Sequence, residues 1–188
     1  MLNCEGNSQV AILISIFAVV APGPHLHHKN STDNQARRAC SIAEYATRAQ
    51  CLQVEQELIC KGGITREWIR GSKPSISQLR IMDWPGPCLD LGRMQQHFPE
   101  LRILELLNCP ILRNFTGYFD LTTKMERLTI HGAPSLWEIS PEVIKNMQNL
   151  RSMDLRGNGI RHMKDEFLSK LPKLQHVYLS GKWILLLS

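Results

Sequence analysis

Apolar residues fall on one register over the C-terminal part of the chain. Five nine-residue segments, ISQLRIMDW, LRILELLNC, MERLTIHGA, LRSMDLRGN and LQHVYLSGK, begin at Ile76, Leu101, Met125, Leu150 and Leu174. These starts are evenly spaced to within one position. Positions 1, 4 and 6 are apolar every time: Ile76, Leu79 and Ile81; Leu101, Leu104 and Leu106; Met125, Leu128 and Ile130; Leu150, Met153 and Leu155; Leu174, Val177 and Leu179. A strand turns alternate side chains to opposite faces, so positions 4 and 6 point the same way, and position 1 joins them where the chain bends in. Each segment therefore predicts a short strand, followed by a return that carries the chain back to the next one. One such coil cannot bury its apolar face alone, so consecutive coils must stack around a shared core.

The clearest coil runs from Leu150 to Leu174. It reads L-x-x-L-x-L-x-x-N-x-L, with Leu150, Met153, Leu155, Asn158 and Ile160 in the required places. This resembles a leucine-rich repeat. An Asn at position 9 can satisfy backbone groups where the chain leaves the strand, because a buried unpaired amide is costly. Only Asn158 provides it; Trp84, Cys109, Ala133 and Lys182 stand at the other four positions. Cys109 is expected to be a buried, unpaired and unreactive thiol. The stretch Ile139-Ser-Pro-Glu-Val-Ile-Lys-Asn-Met147 resembles the L-P-x-x-x-F-x-x-L return of leucine-rich repeats of this length. The expected fold is an α/β solenoid: a leucine-rich repeat horseshoe with short parallel strands on its concave face and irregular or helical returns.

The N-terminal part is organised differently. Ala11 to Ala21 (AILISIFAVVA) is an apolar stretch too short to span a bilayer and of the length of a signal-peptide core. Residues 1–23 are read as a signal peptide, 24–39 as a flexible polar leader, 40–75 as a cysteine-containing cap and 76–188 as repeats, the last incomplete and without a second cap. Cys51 to Cys60 (CLQVEQELIC) alternates like a strand, and Lys61-Gly-Gly63 turns the chain after it. Cys40, Cys51, Cys60 and Cys88 are the disulfide candidates. Four cysteines allow three pairings, and the sequence does not choose among them. Asn30 and Asn114 head N-glycosylation sequons. His25, His27 and His28 lack a Cys or acidic partner at ligand spacing, so no metal and no cofactor are expected.

Composition narrows the function. The net charge is +5 and 43% of residues are hydrophobic, yet no block of Lys and Arg forms a stripe that would track nucleic acid. No later run is long enough to cross a membrane, and no catalytic motif is present, so the expected activity is not enzymatic. What remains is the variable positions of the strands, which mix charge, hydrogen-bonding groups and a few apolar side chains, as suits a protein partner. The candidate contacts are Arg80, Arg102, Glu105, Arg127, Thr129, Arg151, Asp154, Arg156, His176 and Tyr178, with arginine and tyrosine favoured at binding hot spots.

From about Cys40 to Ile184 the chain resembles extracellular leucine-rich repeat proteins with a cysteine-containing N-terminal cap, in particular the N-terminal part of insect Toll-like receptor ectodomains and related adhesion receptors. That resemblance implies a secreted or cell-surface protein that recognises a protein ligand or co-receptor, in innate immunity, development or adhesion. An intracellular repeat scaffold and a truncated chain without stable function are the alternatives. The incomplete last coil, Trp183 to Leu187, is expected to promote self-association.

Overall fold

The structure is a computed structural model that describes residues 11–15, 48–117, 124–163, 165–180 and 184–185. The signal-peptide and leader residues outside 11–15, Asn30, Cys40 and Trp183 lie outside these.

The period seen in the sequence becomes a sheet. Strands β1 (Ala11–Ser15), β2 (Gln50–Val54), β3 (Glu57–Lys61), β4 (Gln78–Met82), β6 (Ile103–Leu107), β8 (Arg127–His131), β9 (Ser152–Asp154) and β11 (His176–Ser180) form one open sheet. Their order is β1-β11-β9-β8-β6-β4-β3-β2. Every neighbouring pair is parallel except β2 and β3. The register matches the sequence alignment: Leu79 opposes Leu104, Leu104 opposes Leu128, Leu128 opposes Met153 and Met153 opposes Val177. All fifteen residues at positions 1, 4 and 6 are buried, none more than 6% exposed. The expected solenoid is thus seen as an open, mostly parallel sheet over a continuous core.

The returns close that core from the other side. In the first coil, β5 (Cys88–Asp90) leads into helix α1 (Leu91–His97), whose first free amides are met by Asp90 accepting from Arg93 N at 3.0 Å. The helix buries Leu91 and Met94 against the core. In the third coil Ser140 caps α2 (Pro141–Ile144), and Pro141 opens the helix where its missing N–H costs nothing. Ile139, Val143, Ile144 and Met147 are buried there, as the return pattern predicts. Helix α3 is Asp165–Ser169. Two small parallel pairs, β5 with β7 (Asn114–Thr116) and β10 (His162–Met163) with β12 (Ile184–Leu185), run along the returns.

One turn recurs at position 8 of the first four coils. Asp83, Asn108, Gly132 and Gly157 all have left-handed backbones, with φ of 55°, 54°, 72° and 72°. Only Gly, and less readily Asn and Asp, adopts that region without a steric penalty. The turn lets the departing amide reach the next coil: Asp83 N donates to Leu107 O at 3.0 Å, and Asn108 N to His131 O at 2.9 Å. Asn158 then works as expected. Its Nδ2 donates to Ile130 O at 2.6 Å and Leu155 O at 2.9 Å, while its Oδ1 accepts from Ala133 N at 3.0 Å. Two of these bonds join neighbouring coils.

One expectation changes. Cys51 to Cys60, read as one strand, is a hairpin: β2 and β3 run antiparallel, with a left-handed residue at Glu55 (φ 54°) and Cys51 opposite Cys60. These two cysteines form a disulfide, and Cys88 is also disulfide-bonded. The cap is therefore not separate from the array. β3 pairs in parallel with β4, putting Leu58 and Cys60 opposite Leu79 and Ile81, and Gly62 (φ 71°) repeats the position-8 turn. Nor is its outer strand wholly polar, since Leu52 and Val54 of β2 are 63% and 51% exposed. Ala11–Ser15 forms strand β1, parallel to β11.

Replacing Asn158 with Ala leaves the Ala133 amide and two carbonyls without their partner. The expected loss is about 3 kcal/mol of unfolding free energy, at about 1–3 kcal/mol per orphaned buried group with partial relief by water. Urea denaturation checks it; a loss below about 1 kcal/mol would show that the side chain does not tie the coils together.

Candidate functional site

The face of the sheet opposite the core carries the variable strand positions, and parallel register decides which of them meet. Residues one period apart become neighbours about 4.8 Å apart. Arg80 on β4 therefore stands opposite Glu105 on β6, while Glu57 reaches it diagonally from β3. Its Nε donates to Glu105 Oε2 at 2.6 Å, and its guanidinium lies 3.3 Å from Glu57 Oε1. The hydrogen bond to Glu105 raises the Arg80 pKa above its already high ordinary value, fixing this charge. Just before the strands, Arg102 pairs with Glu126 at 2.6 Å, and Lys124 with Glu100 at 2.6 Å.

A second group lies on the last three strands. His131 Nε2 is 2.9 Å from Asp154 Oδ1, and the Arg156 side chain grips both oxygens of Asp154, its closest contact 2.7 Å. The Arg156 guanidinium also sits over the Tyr178 ring, 5.3 Å from its centre, and His176 stacks on that ring at 6.4 Å. Burial pushes the Asp154 carboxyl up, but hydrogen bonds from Arg156 and His131 outweigh it and hold the group below the usual carboxylate range. Thr129 stands in register between Glu105 and Asp154.

The ten sequence-selected residues thus divide. Arg80 with Glu105, and Asp154 with Arg156, His176 and Tyr178, are brought together and largely committed to each other. Arg102 is paired with Glu126, outside that selection. Arg127 and Arg151 are exposed, and neither side chain has a hydrogen bond or ion pair among the described residues. They are the uncommitted cations of this face. The sequence carried the signal for the pairs in its period: opposite charges recur one repeat apart at Glu100 and Lys124, Arg102 and Glu126, and Arg80 and Glu105.

The remaining candidates are structural. Cys109 is a free, buried thiol, and burial pushes its pKa up, which leaves it protonated and inert. Asn114 is exposed on β7, on the return side and away from the sheet face. Among the described residues, no group of three or more His, Cys, Asp or Glu could hold a metal ion, and no helix is long and apolar enough to cross a membrane.

Residues 123–182 match the model of the leucine rich repeat family. The coils within that segment are similar to leucine-rich repeats. No curated protein and no solved structure matches the chain. The matched segment spans the third and fourth coils and the start of the fifth, so it includes Arg127, Arg151 and the Asp154 group. Leucine-rich repeats are in general non-enzymatic protein-interaction modules.

Asp154 gives a pH prediction. A carboxyl whose pKa is depressed by folding stabilises the fold fully above its unfolded value near ~4, and that contribution is lost as pH falls through the folded value. The melting temperature of Asp154→Asn should accordingly fall less than that of the native protein between about pH 5 and about pH 2.5. Equal falls would mean that the Arg156 and His131 contacts do not act on Asp154 in solution.

Proposed function

We propose that this chain is the recognition module of a secreted or receptor-derived leucine-rich repeat protein and binds a protein ligand or co-receptor through the exposed face of its sheet. The observation that carries this reading is the contrast between committed and free charge on that face. Arg80, Arg102 and Arg156 are neutralised by neighbours, whereas Arg127 and Arg151 stand exposed one period apart in adjacent coils. Beside them, the Arg156–Tyr178 stack offers a pre-ordered aromatic and cationic surface, the composition found at binding hot spots. The extracellular part of the reading is supported by the Cys51–Cys60 disulfide in the first hairpin and by the exposed sequon at Asn114. The likeness to Toll-like ectodomains adds a role in immune or developmental signalling or in adhesion.

A second reading is favoured by β1. A chain that keeps Ala11–Ser15 paired with β11 has not been cut between Ala21 and Gly23, and is better described as an intracellular repeat scaffold.

One measurement separates the two: the intact mass, without reduction, of the full chain made in insect cells. The extracellular reading expects loss of the apolar N-terminus, glycan at Asn30 and Asn114, and about four missing hydrogens from two disulfides. An unmodified full-length mass, recovered from inside the cell, would move the scaffold to first place. With a ligand in hand, Arg127→Ala combined with Arg151→Ala should weaken binding by about tenfold or more, and Arg102→Ala by about twofold or less.

A further inference from the structure

An exposed trough lies on the flank of the array, away from the sheet. Trp137 is 66% exposed, the largest apolar side chain left open among the described residues. It stands at position 13 of its coil. Arg113 occupies position 13 of the preceding coil, and Arg161 position 12 of the following one. Together with Pro134, Ser135 and Gly159 these three line a trough of about 430 Å³.

The coils there are locked to each other. Arg161 N donates to Trp137 O at 3.4 Å, and Ser135 Oγ donates to Pro110 O at 2.7 Å. Gly159 packs so closely that a Cβ there would come within 2.0 Å of Pro134 O, so no side chain at that position can fill the trough. Both guanidiniums are exposed, and neither has a side-chain hydrogen bond or ion pair among the described residues. An open indole with a free cation on each side does not serve the core, which lies behind Leu112, Leu136 and Ile160.

We propose that this trough binds an acidic peptide segment that carries an aromatic side chain. Two coils separate Arg113 from Arg161, or roughly 10 Å at the spacing of stacked strands. An extended peptide advances about 3.3 Å per residue, so carboxylates three residues apart would meet both arginines. An aromatic residue between them would lie on Trp137, where offset or edge-to-face ring pairs add attraction beyond their burial. Arginine suits the task because its planar fork takes a carboxylate through two hydrogen bonds. The site is independent of the sheet face: Arg127 and Arg151 take no part in it.

The test uses the full chain and a fluorescein-labelled peptide, Gly-Asp-Tyr-Gly-Glu-Gly, followed by anisotropy at low and physiological salt. Saturable binding is expected. It should weaken at least tenfold in Arg113→Glu and in Arg161→Glu and by a similar factor in Trp137→Ala, while Arg127→Ala with Arg151→Ala leaves it unchanged. In the doubly reversed protein, R113E with R161E, the peptide Gly-Lys-Tyr-Gly-Lys-Gly should bind instead. All the substituted side chains are exposed, so melting temperatures serve as a control that each variant folds. The proposal is overturned by affinity that survives these substitutions, by equal binding of a peptide with Gly in place of Tyr, or by a sulfated oligosaccharide that displaces the peptide and binds tighter without any aromatic ring.

Discussion

The fold depends on apolar side chains that a single coil cannot cover by itself. Leu104 and Leu106 can leave water only because Leu79 and Ile81 stand on one side and Leu128 and Ile130 on the other. The core is therefore a column with one layer per repeat, and the returns absorb differences in coil length while Leu58, Leu79, Leu104 and Leu128 stay in register. Because the strands are parallel and aligned, the same rule that stacks leucines inside sets unlike charges beside each other outside. Arg80 between two glutamates and Asp154 between His131 and Arg156 come from the geometry that buries Leu79 and Met153.

The second constraint is the turn that ends each strand. Asp83, Asn108, Gly132 and Gly157 all take the left-handed region, and the hairpin ahead of the array ends the same way at Gly62. Gly132 has an added reason to lack a side chain, since a Cβ there would lie 3.2 Å from Asn108 Cα. Through this turn the amides of Asp83 and Asn108 still reach the last strand residue of the next coil, Leu107 and His131. It also fixes where position 9 falls, so Asn158 can bind two coils at once, while Trp84 at the same place donates its ring N–H to Cys88 O.

Much of this was legible in the sequence. Three apolar positions repeated five times give the strand register, the core and the direction of the face, because burial is periodic and the period is visible. The position-8 turn is also written there, as Asp, Asn, Gly, Gly and Gly in succession, and becomes obvious once the coils are aligned. The hairpin is not. Its turn falls at Glu55-Gln56, with no Gly, Asn or Pro to mark it, and a disulfide across the strands holds what turn chemistry does not. Which charges are free is hidden for a different reason. Arg127 and Arg102 read alike along the chain, and only the side chain in the next coil distinguishes them. The Trp137 trough lies outside the strand pattern altogether: Arg113 and Trp137 share position 13 of their coils, but Arg161 falls at position 12, so the repeat alignment does not single them out.

The parallel stacking also gives the protein a mechanical character. Load applied along the array falls on one interface between coils at a time, because no strand bridges beyond its immediate neighbours. Such a chain would yield stepwise, each released coil adding roughly 80 Å of slack at about 3.4 Å per extended residue. The first hairpin would resist longest, since a covalent bond between Cys51 and Cys60 joins its two strands. A tether with that behaviour lengthens in discrete increments under tension, and each increment takes one layer of the exposed sheet face with it.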